Sequence, residues 1–182
     1  MGIIIQILLL VLMSASGMNF HIADTAVGEV GESFIETLFT VSYDEATEFD
    51  ESVTIEREKI VQSDSSSSFD SYYSSFIPAL MVDRYGEWVD APTLEFMIIN
   101  GVLTNNYASS LQNEANYSVD NLRLSSEEID EDTVKQRWLF DQLEFDLDNE
   151  WVETYEIEVQ IHNSKESGKI IHFKILDVSE KE

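Results

Sequence analysis

The sequence predicts an α+β protein. A long N-terminal helix, apolar and then amphipathic, precedes an acidic globular domain of helices packed on a small antiparallel sheet with a C-terminal β-hairpin. Three observations predict it. Met1 to Ala23 carry no Asp, Glu, Lys or Arg, and the first basic residue is Arg57. Apolar residues then recur at helical spacing as far as Val41, and the last third of the chain alternates apolar with polar residues. These features divide the chain into a helical region, residues 1–43, and a globular α+β region, residues 44–182.

The helical region opens with Ile3-Ile4-Ile5-Gln6-Ile7-Leu8-Leu9-Leu10-Val11-Leu12. As a helix, Ile3 to Ile22 spans about 30 Å, the thickness of a bilayer's hydrocarbon core. Each aliphatic residue in the run favours insertion by about 0.3–0.6 kcal/mol, together about 3–5 kcal/mol. Gln6, Ser14, Ser16, Asn19 and His21 offset part of that. Two other readings compete. In a secretory leader, Ile3 to Met13 would be the apolar centre and Ser14-Ala15-Ser16 the small residues that leader peptidases read, but leaders normally begin with basic residues. A buried core helix is the third.

The next stretch favours a retained helix. Phe20, Ala23, Val27, Val30, Phe34, Leu38 and Val41 form a near-heptad stripe, while Asp24, Glu29, Glu32 and Glu36 fall off it. Gly28 and Gly31 each weaken a helix by about 1 kcal/mol relative to alanine, so two helices with a glycine joint are the alternative.

An apolar N-terminal helix carrying a globular domain resembles the type IV pilin-like surface proteins, in particular archaeal pilins and their minor relatives. The resemblance covers residues 1–43 and lies in architecture. It implies a cell-surface or extracellular location and assembly through Ile3, Ile4, Ile5, Ile7, Leu8, Leu9, Leu10, Val11 and Leu12. The partners it implies are the membrane, further copies of the chain in a filament, or other pilus subunits. Members usually begin with a basic leader, and many carry glutamate at the fifth mature position. Here no basic leader precedes the run, and position five is Ile5.

Composition narrows the compartment. Asp and Glu number 36 against 10 Lys and Arg, a formal net charge of −26. That argues against nucleic acid as a partner, which needs clustered cations, and against docking onto anionic lipid. With 43% hydrophobic residues the chain is a folded acidic protein rather than an acidic tail. The balance suits concentrated salt, where screening removes self-repulsion, and so a halophilic source. Cysteine is absent, which excludes disulfides and thiolate chemistry. Asn116-Tyr117-Ser118 is the one Asn-x-Ser/Thr tripeptide, making Asn116 the candidate glycosylation site.

Along the globular region, the β-branched run Val53–Val61 predicts a strand, and Ser63–Ser68 a polar linker. Phe69, Tyr72, Tyr73, Phe76, Ile77, Leu80 and Met81 have helical spacing. Pro78, at about 3 kcal/mol, is expected to end or kink that helix near Phe76. Asp90-Ala91-Pro92 predicts a helix start with proline in the first turn, Leu94, Met97, Ile98 and Val102 facing inward as far as about Leu111. Ser125-Ser126-Glu127-Glu128 reads as a capping box for a helix burying Trp138, Leu139, Leu143 and Leu147. Finally Tyr155, Ile157, Val159 and Ile161 alternate towards a return strand with Ile171, Phe173 and Ile175. Keeping both apolar sets on one face pairs Ile161 with Ile171, Val159 with Phe173 and Ile157 with Ile175, with Glu158 opposite Lys174.

No catalytic signature is present: no phosphate-cradling glycine loop, G-x-S-x-G elbow or H-E-x-x-H helix. His162 and His172 read as solvated, diagonal neighbours on the hairpin. Asp146-Leu147-Asp148-Asn149-Glu150 resembles the start of a calcium loop but has Trp151 where glycine belongs and Ile157 where glutamate belongs. Trp88, Trp138 and Trp151 read as core before carbohydrate platform. No cofactor or metal is expected. The chain is expected to be a structural surface protein, anchored or filament-forming, and not an enzyme. The alternative is a secreted acidic module for a glycan or peptide, released after Ser16.

Overall fold

The computed structural model describes residues 19–62 and 69–181. Among them are helices α1 (Asn19–Phe39), α2 (Tyr43–Gln62), α3 (Phe69–Tyr85), α4 (Ala91–Ile99) and α5 (Asn105–Asn113). Strands β1 (Asn116–Ile129), β2 (Thr133–Phe145), β3 (Trp151–Ser164) and β4 (Ile170–Glu180) follow. The strands form an antiparallel meander in the order β1-β2-β3-β4, so the α+β class is as the sequence predicts.

One core joins the helices to one face of the sheet. From the helices it takes Phe34, Ile35, Leu38, Met81, Tyr85, Leu94, Met97 and Leu103, and from the strands Trp138, Phe140, Ile157, Val159, Ile161, Ile170 and Phe173. Val30, Phe34, Leu38 and Val41 of the predicted stripe point inward, and Glu29, Glu32 and Glu36 are exposed. The run Ile3–Leu12 and the Ser63–Ser68 linker lie outside the described residues.

Helix α1 runs unbroken through both glycines. A Cβ on Gly31 would sit 3.1 Å from Trp138 Nε1 and 3.2 Å from Gln136 Oε1, so its missing side chain lets α1 settle on β2. A Cβ on Gly28 would meet nothing within 4 Å. The two glycines therefore predict opposite outcomes. Gly28→Ala is expected to stabilise by about 0.5–1 kcal/mol, the ordinary helix-propensity gain. Gly31→Leu is expected to destabilise by at least about 1–3 kcal/mol through overpacking. Urea unfolding of each variant checks both signs.

Beyond α1, Val41 exchanges backbone hydrogen bonds with Tyr117 at 3.1 and 2.8 Å. Ser42 then starts α2 with a capping box: its hydroxyl accepts from the Glu45 amide at 3.2 Å, and the Glu45 carboxylate accepts from the Ser42 amide at 3.0 Å. This start carries the helix through Val53–Val61, correcting the predicted strand. Asp44 and Glu45 in the first turn and Lys59 in the last favour the helix dipole, and Ile55 stays 51% exposed, so the β-branched run finds no sheet to pack against.

Further expectations are corrected. Helix α3 continues through Pro78 to Tyr85 instead of ending near Phe76; Met81 and Tyr85, past the proline, are buried in the core and hold the last turns. The Asp90 cap is as predicted, its carboxylate accepting from the Thr93 amide at 3.0 Å. The helix stops at Ile99, however, because Asn100 caps it and Gly101 takes φ +69°; α5 starts afresh at Asn105.

The Ser125–Glu128 segment lies in β1, and Trp138, Leu139 and Leu143 lie in β2, not in a helix. On β2 the covered face reads Val134, Gln136, Trp138, Phe140, Gln142, Glu144, a period of two with polar residues in inner positions. Those polar groups have partners. Gln136 Nε2 donates to Glu127 at 2.8 Å, and Gln142 Nε2 donates to the Phe39 carbonyl at 3.1 Å.

The hairpin exists, but its register is displaced. Ile161 opposes Phe173, Val159 opposes Ile175 and Ile157 opposes Val178; Glu158 faces Asp177, and Lys174 faces Gln160. The inward residue at the start of β4 is Ile170, not Ile171. Ile170 exchanges backbone hydrogen bonds with Trp88 and Asp90, and irregularities at His162/Asn163 and Glu158/Val159 absorb the shift.

Candidate functional site

The richest polar niche among the described residues lies where α2, α3 and α5 meet. Arg84, near the end of α3, places its guanidinium 5.9 Å from the Tyr85 ring centroid and 5.5 Å from that of Tyr107. Its Nη2 reaches Glu45 Oε1 at 3.5 Å. Two clefts share the Arg84–Glu45 pair. One, of about 430 Å³, is bounded by Glu48, Phe49, Asp83 and Tyr107, the other, of about 550 Å³, by Glu36, Thr37 and Ser118. Phe49 and Tyr107 stack with centroids 4.8 Å apart.

Two polar atoms here are buried without a hydrogen-bond partner, Arg84 Nε and the Tyr85 hydroxyl. Burial pushes the Tyr85 hydroxyl well above its ordinary range, with the neighbouring Tyr107 adding to the effect. Burial alone would raise the Glu45 carboxyl, but the Ser42 amide and hydroxyl and the Arg84 charge outweigh it and hold it below the usual carboxylate value. An arginine among carboxylates beside stacked rings offers donors, acceptors and an apolar face to a neutral polar ligand.

The residues singled out in sequence scatter. Asn116 opens β1 with both amide atoms engaged: Oδ1 accepts from the Tyr43 amide at 2.9 Å, and Nδ2 donates to the Asp146 carbonyl at 3.3 Å. Asp146 to Glu150 form the β2–β3 turn, where Asp146 Oδ1 accepts from the Asp148 and Glu150 amides at 2.9 and 2.8 Å. Local turn formation thus accounts for that acidic string. Trp138 is buried and Trp88 packs against the core, while Trp151 is 62% exposed, its Nε1 donating to Thr154 at 3.0 Å. Among the described residues no three His, Asp or Glu side chains are grouped to hold a metal ion, and no helix is long and apolar enough to cross a membrane.

His162 and His172 are directly opposed rather than diagonal, with ring centroids 4.6 Å apart. His162 Nε2 is buried without a hydrogen-bond partner. Burial first, then the His172 and Lys135 charges, lower its pKa, against the pull of Asp130 and Glu128. A base depressed in the folded state contributes its full stability above the unfolded value, about 6.5, and loses it as pH falls below that, because the unfolded imidazole takes the proton first. Between pH 8 and pH 5 the wild type is therefore expected to lose stability relative to His162→Gln. Parallel urea titrations with no difference between the two would exclude the effect.

Compared with known proteins, the chain matches no family model, no curated protein and no solved structure.

Proposed function

We propose that the chain is a structural surface protein, anchored in a membrane or built into a pilus-like filament through Ile3–Leu12, with the acidic domain outside. The role is not enzymatic. One observation carries the reading: the charge-free stretch Met1–Ala23 leads into a helix whose far end is fastened to the domain. Gln142 from β2 and Asn106 from α5 donate to the Phe39 and Leu38 carbonyls at 3.1 and 2.7 Å, occupying acceptors that a helix end leaves open. Force applied at the anchor thus reaches the sheet directly. Fractionation and electron microscopy test the proposal. Recovery of the full-length chain as a detergent-free soluble monomer would refute it.

The alternative, a secreted module released after Ser16, has the Arg84 niche in its favour. Intact mass of the native protein separates the two, since a mature chain starting at Gly17 lacks Ile3–Leu12.

The net charge of −26 supports a high-salt, halophilic setting; an archaeal one rests on the pilin-like resemblance alone. Exposed ion pairs such as Lys135–Asp130, at 2.6 Å, contribute little, and acidic residues far outnumber basic ones, so screening removes more repulsion than attraction. The melting temperature of the full chain is expected to rise steadily from dilute to molar salt. Equal melting temperatures at both ends would give the acidity another purpose.

A further inference from the structure

The Arg84 niche has more hydrogen-bonding capacity than the protein uses. A guanidinium carries five N–H donors. Among the described residues Arg84 makes one hydrogen bond, from Nη2 to Glu45 at the long distance of 3.5 Å, and its Nε has no partner. The side chain is 32% exposed, so the spare donors are partly withdrawn from water. The exposed carboxylates of Glu48 and Asp83 line the same cleft and accept no hydrogen bond from the described residues. Spare donors on a half-buried cation beside spare acceptors form an arrangement that a bound ligand completes.

The charges select the chemistry of that ligand. Spare donors call for an oxygen acceptor, but Glu45, Glu48 and Asp83 in one cleft and Glu36 in the other repel an anionic one. A cation would leave the guanidinium donors unmet and sit beside a like charge. What remains is a neutral ligand that both accepts and donates at closely spaced atoms, the character of adjacent hydroxyl groups. The apolar side agrees. Phe49 lines the cleft, half-buried, with the Tyr107 ring stacked on it at 4.8 Å, a braced ring for the C–H face of a sugar.

The extent of the niche points the same way. Arg84 and Glu45 line both clefts, of about 430 and 550 Å³, and each is of ligand size. The second is edged by Thr37, Thr40 and Ser118, all hydroxyl-bearing. A ligand of two or more units reaches both clefts across the shared pair.

We propose that the Arg84 niche binds a neutral oligosaccharide. Arg84 donates to its hydroxyl oxygens, Glu45 and Glu48 accept from its hydroxyl groups, and Phe49 carries an apolar sugar face. The site belongs to the globular domain, so it serves an anchored subunit and a released module alike.

The full-length chain, in detergent where a membrane holds it, is applied to an array of neutral oligosaccharides, sialylated and uronic-acid oligosaccharides, and peptides. Binding is expected among the neutral oligosaccharides only. Calorimetric titration with the best-bound member is expected to show affinity at least tenfold weaker in Arg84→Gln and in Glu48→Gln. Glu58→Gln, on the exposed face of α2 outside both linings, is expected to bind as the wild type does. Glu48 and Asp83 are exposed, so Glu48→Gln and Asp83→Asn are expected to keep the wild-type melting temperature and carry the test if Arg84→Gln unfolds. The proposal is overturned by an array with no bound neutral oligosaccharide, by preference for acidic sugars or peptides, or by unchanged affinity in both Glu48→Gln and Asp83→Asn. Fractionation and intact mass decide the fate of Ile3–Leu12 separately, so failure of the anchoring reading is not mistaken for failure of this site.

Discussion

Leu8→Arg is expected to abolish membrane or filament association while leaving the globular domain folded. Leu8 sits at the centre of the aliphatic run, with no acidic residue in Met1–Ala23 to pair with an introduced cation. Arginine at a bilayer centre costs about 2.5–3.5 kcal/mol, against about 3–5 kcal/mol of insertion energy from the whole run. A difference of that size lowers partitioning by roughly a hundredfold, since about 1.4 kcal/mol is a factor of ten. In a filament core the unpaired buried charge is at least as damaging. Flotation of membranes carrying each variant, with the melting temperature followed in parallel, reads both consequences. Association that survives Leu8→Arg would remove the anchor from this segment and put the secreted-module reading first.

Legibility followed how each element is specified. The Asp90 cap and the Tyr155–Ile161 alternation were readable because each is written in adjacent residues: a carboxylate two positions before a proline, and strict period two. The second half of the amphipathic stripe was readable for the same reason, with Phe34, Leu38 and Val41 buried and Glu32 and Glu36 exposed. Strand β2 was not, because its inner face carries Gln136, Gln142 and Glu144, whose suitability depends on partners distant in sequence, such as the Phe39 carbonyl. Ser125–Glu128 has the residue types of a capping box, but pairing with Arg137 through Lys135 claimed that backbone for a strand. The working capping box, Ser42 to Glu45, has the same spacing, Ser-x-x-Glu, and was masked by the β-branched run downstream.

The polar niche was hidden for a different reason. Glu45, Arg84 and Tyr107 are far apart in the chain and come from three helices, so no local spacing announces them. A usable signal did exist. Arg84 is one of only 10 basic residues and lies at the end of an apolar helical stripe, where a lone cation needs a partner. The histidine pair was nearly legible. Its two members were placed on the correct strands and face, and a register displaced by two turned an opposed pair into a diagonal one.

Phe34→Ala is expected to be the most damaging single truncation near the junction of α1 and the domain. The ring is fully buried and makes edge-on contacts with Tyr85 at 6.0 Å and Phe173 at 5.5 Å, joining α1 to α3 and to β4. Removing a buried phenylalanine costs about 3–5 kcal/mol, transfer and cavity together, a large share of the roughly 5–15 kcal/mol that holds a domain folded. Leu143→Arg, which the helical reading of this segment marks as disruptive, has a different expected outcome. Leu143 lies on the uncovered face of β2, half-buried opposite Ser118 and Thr154, where an arginine stem can lie along the sheet with its charge in water. Its expected cost is about 1 kcal/mol or less, the range of ordinary surface changes. Urea unfolding of the two variants side by side separates them by several kilocalories. Equal costs would mean either that α1 does not brace the core through Phe34 or that the outer face of β2 is covered in the native protein.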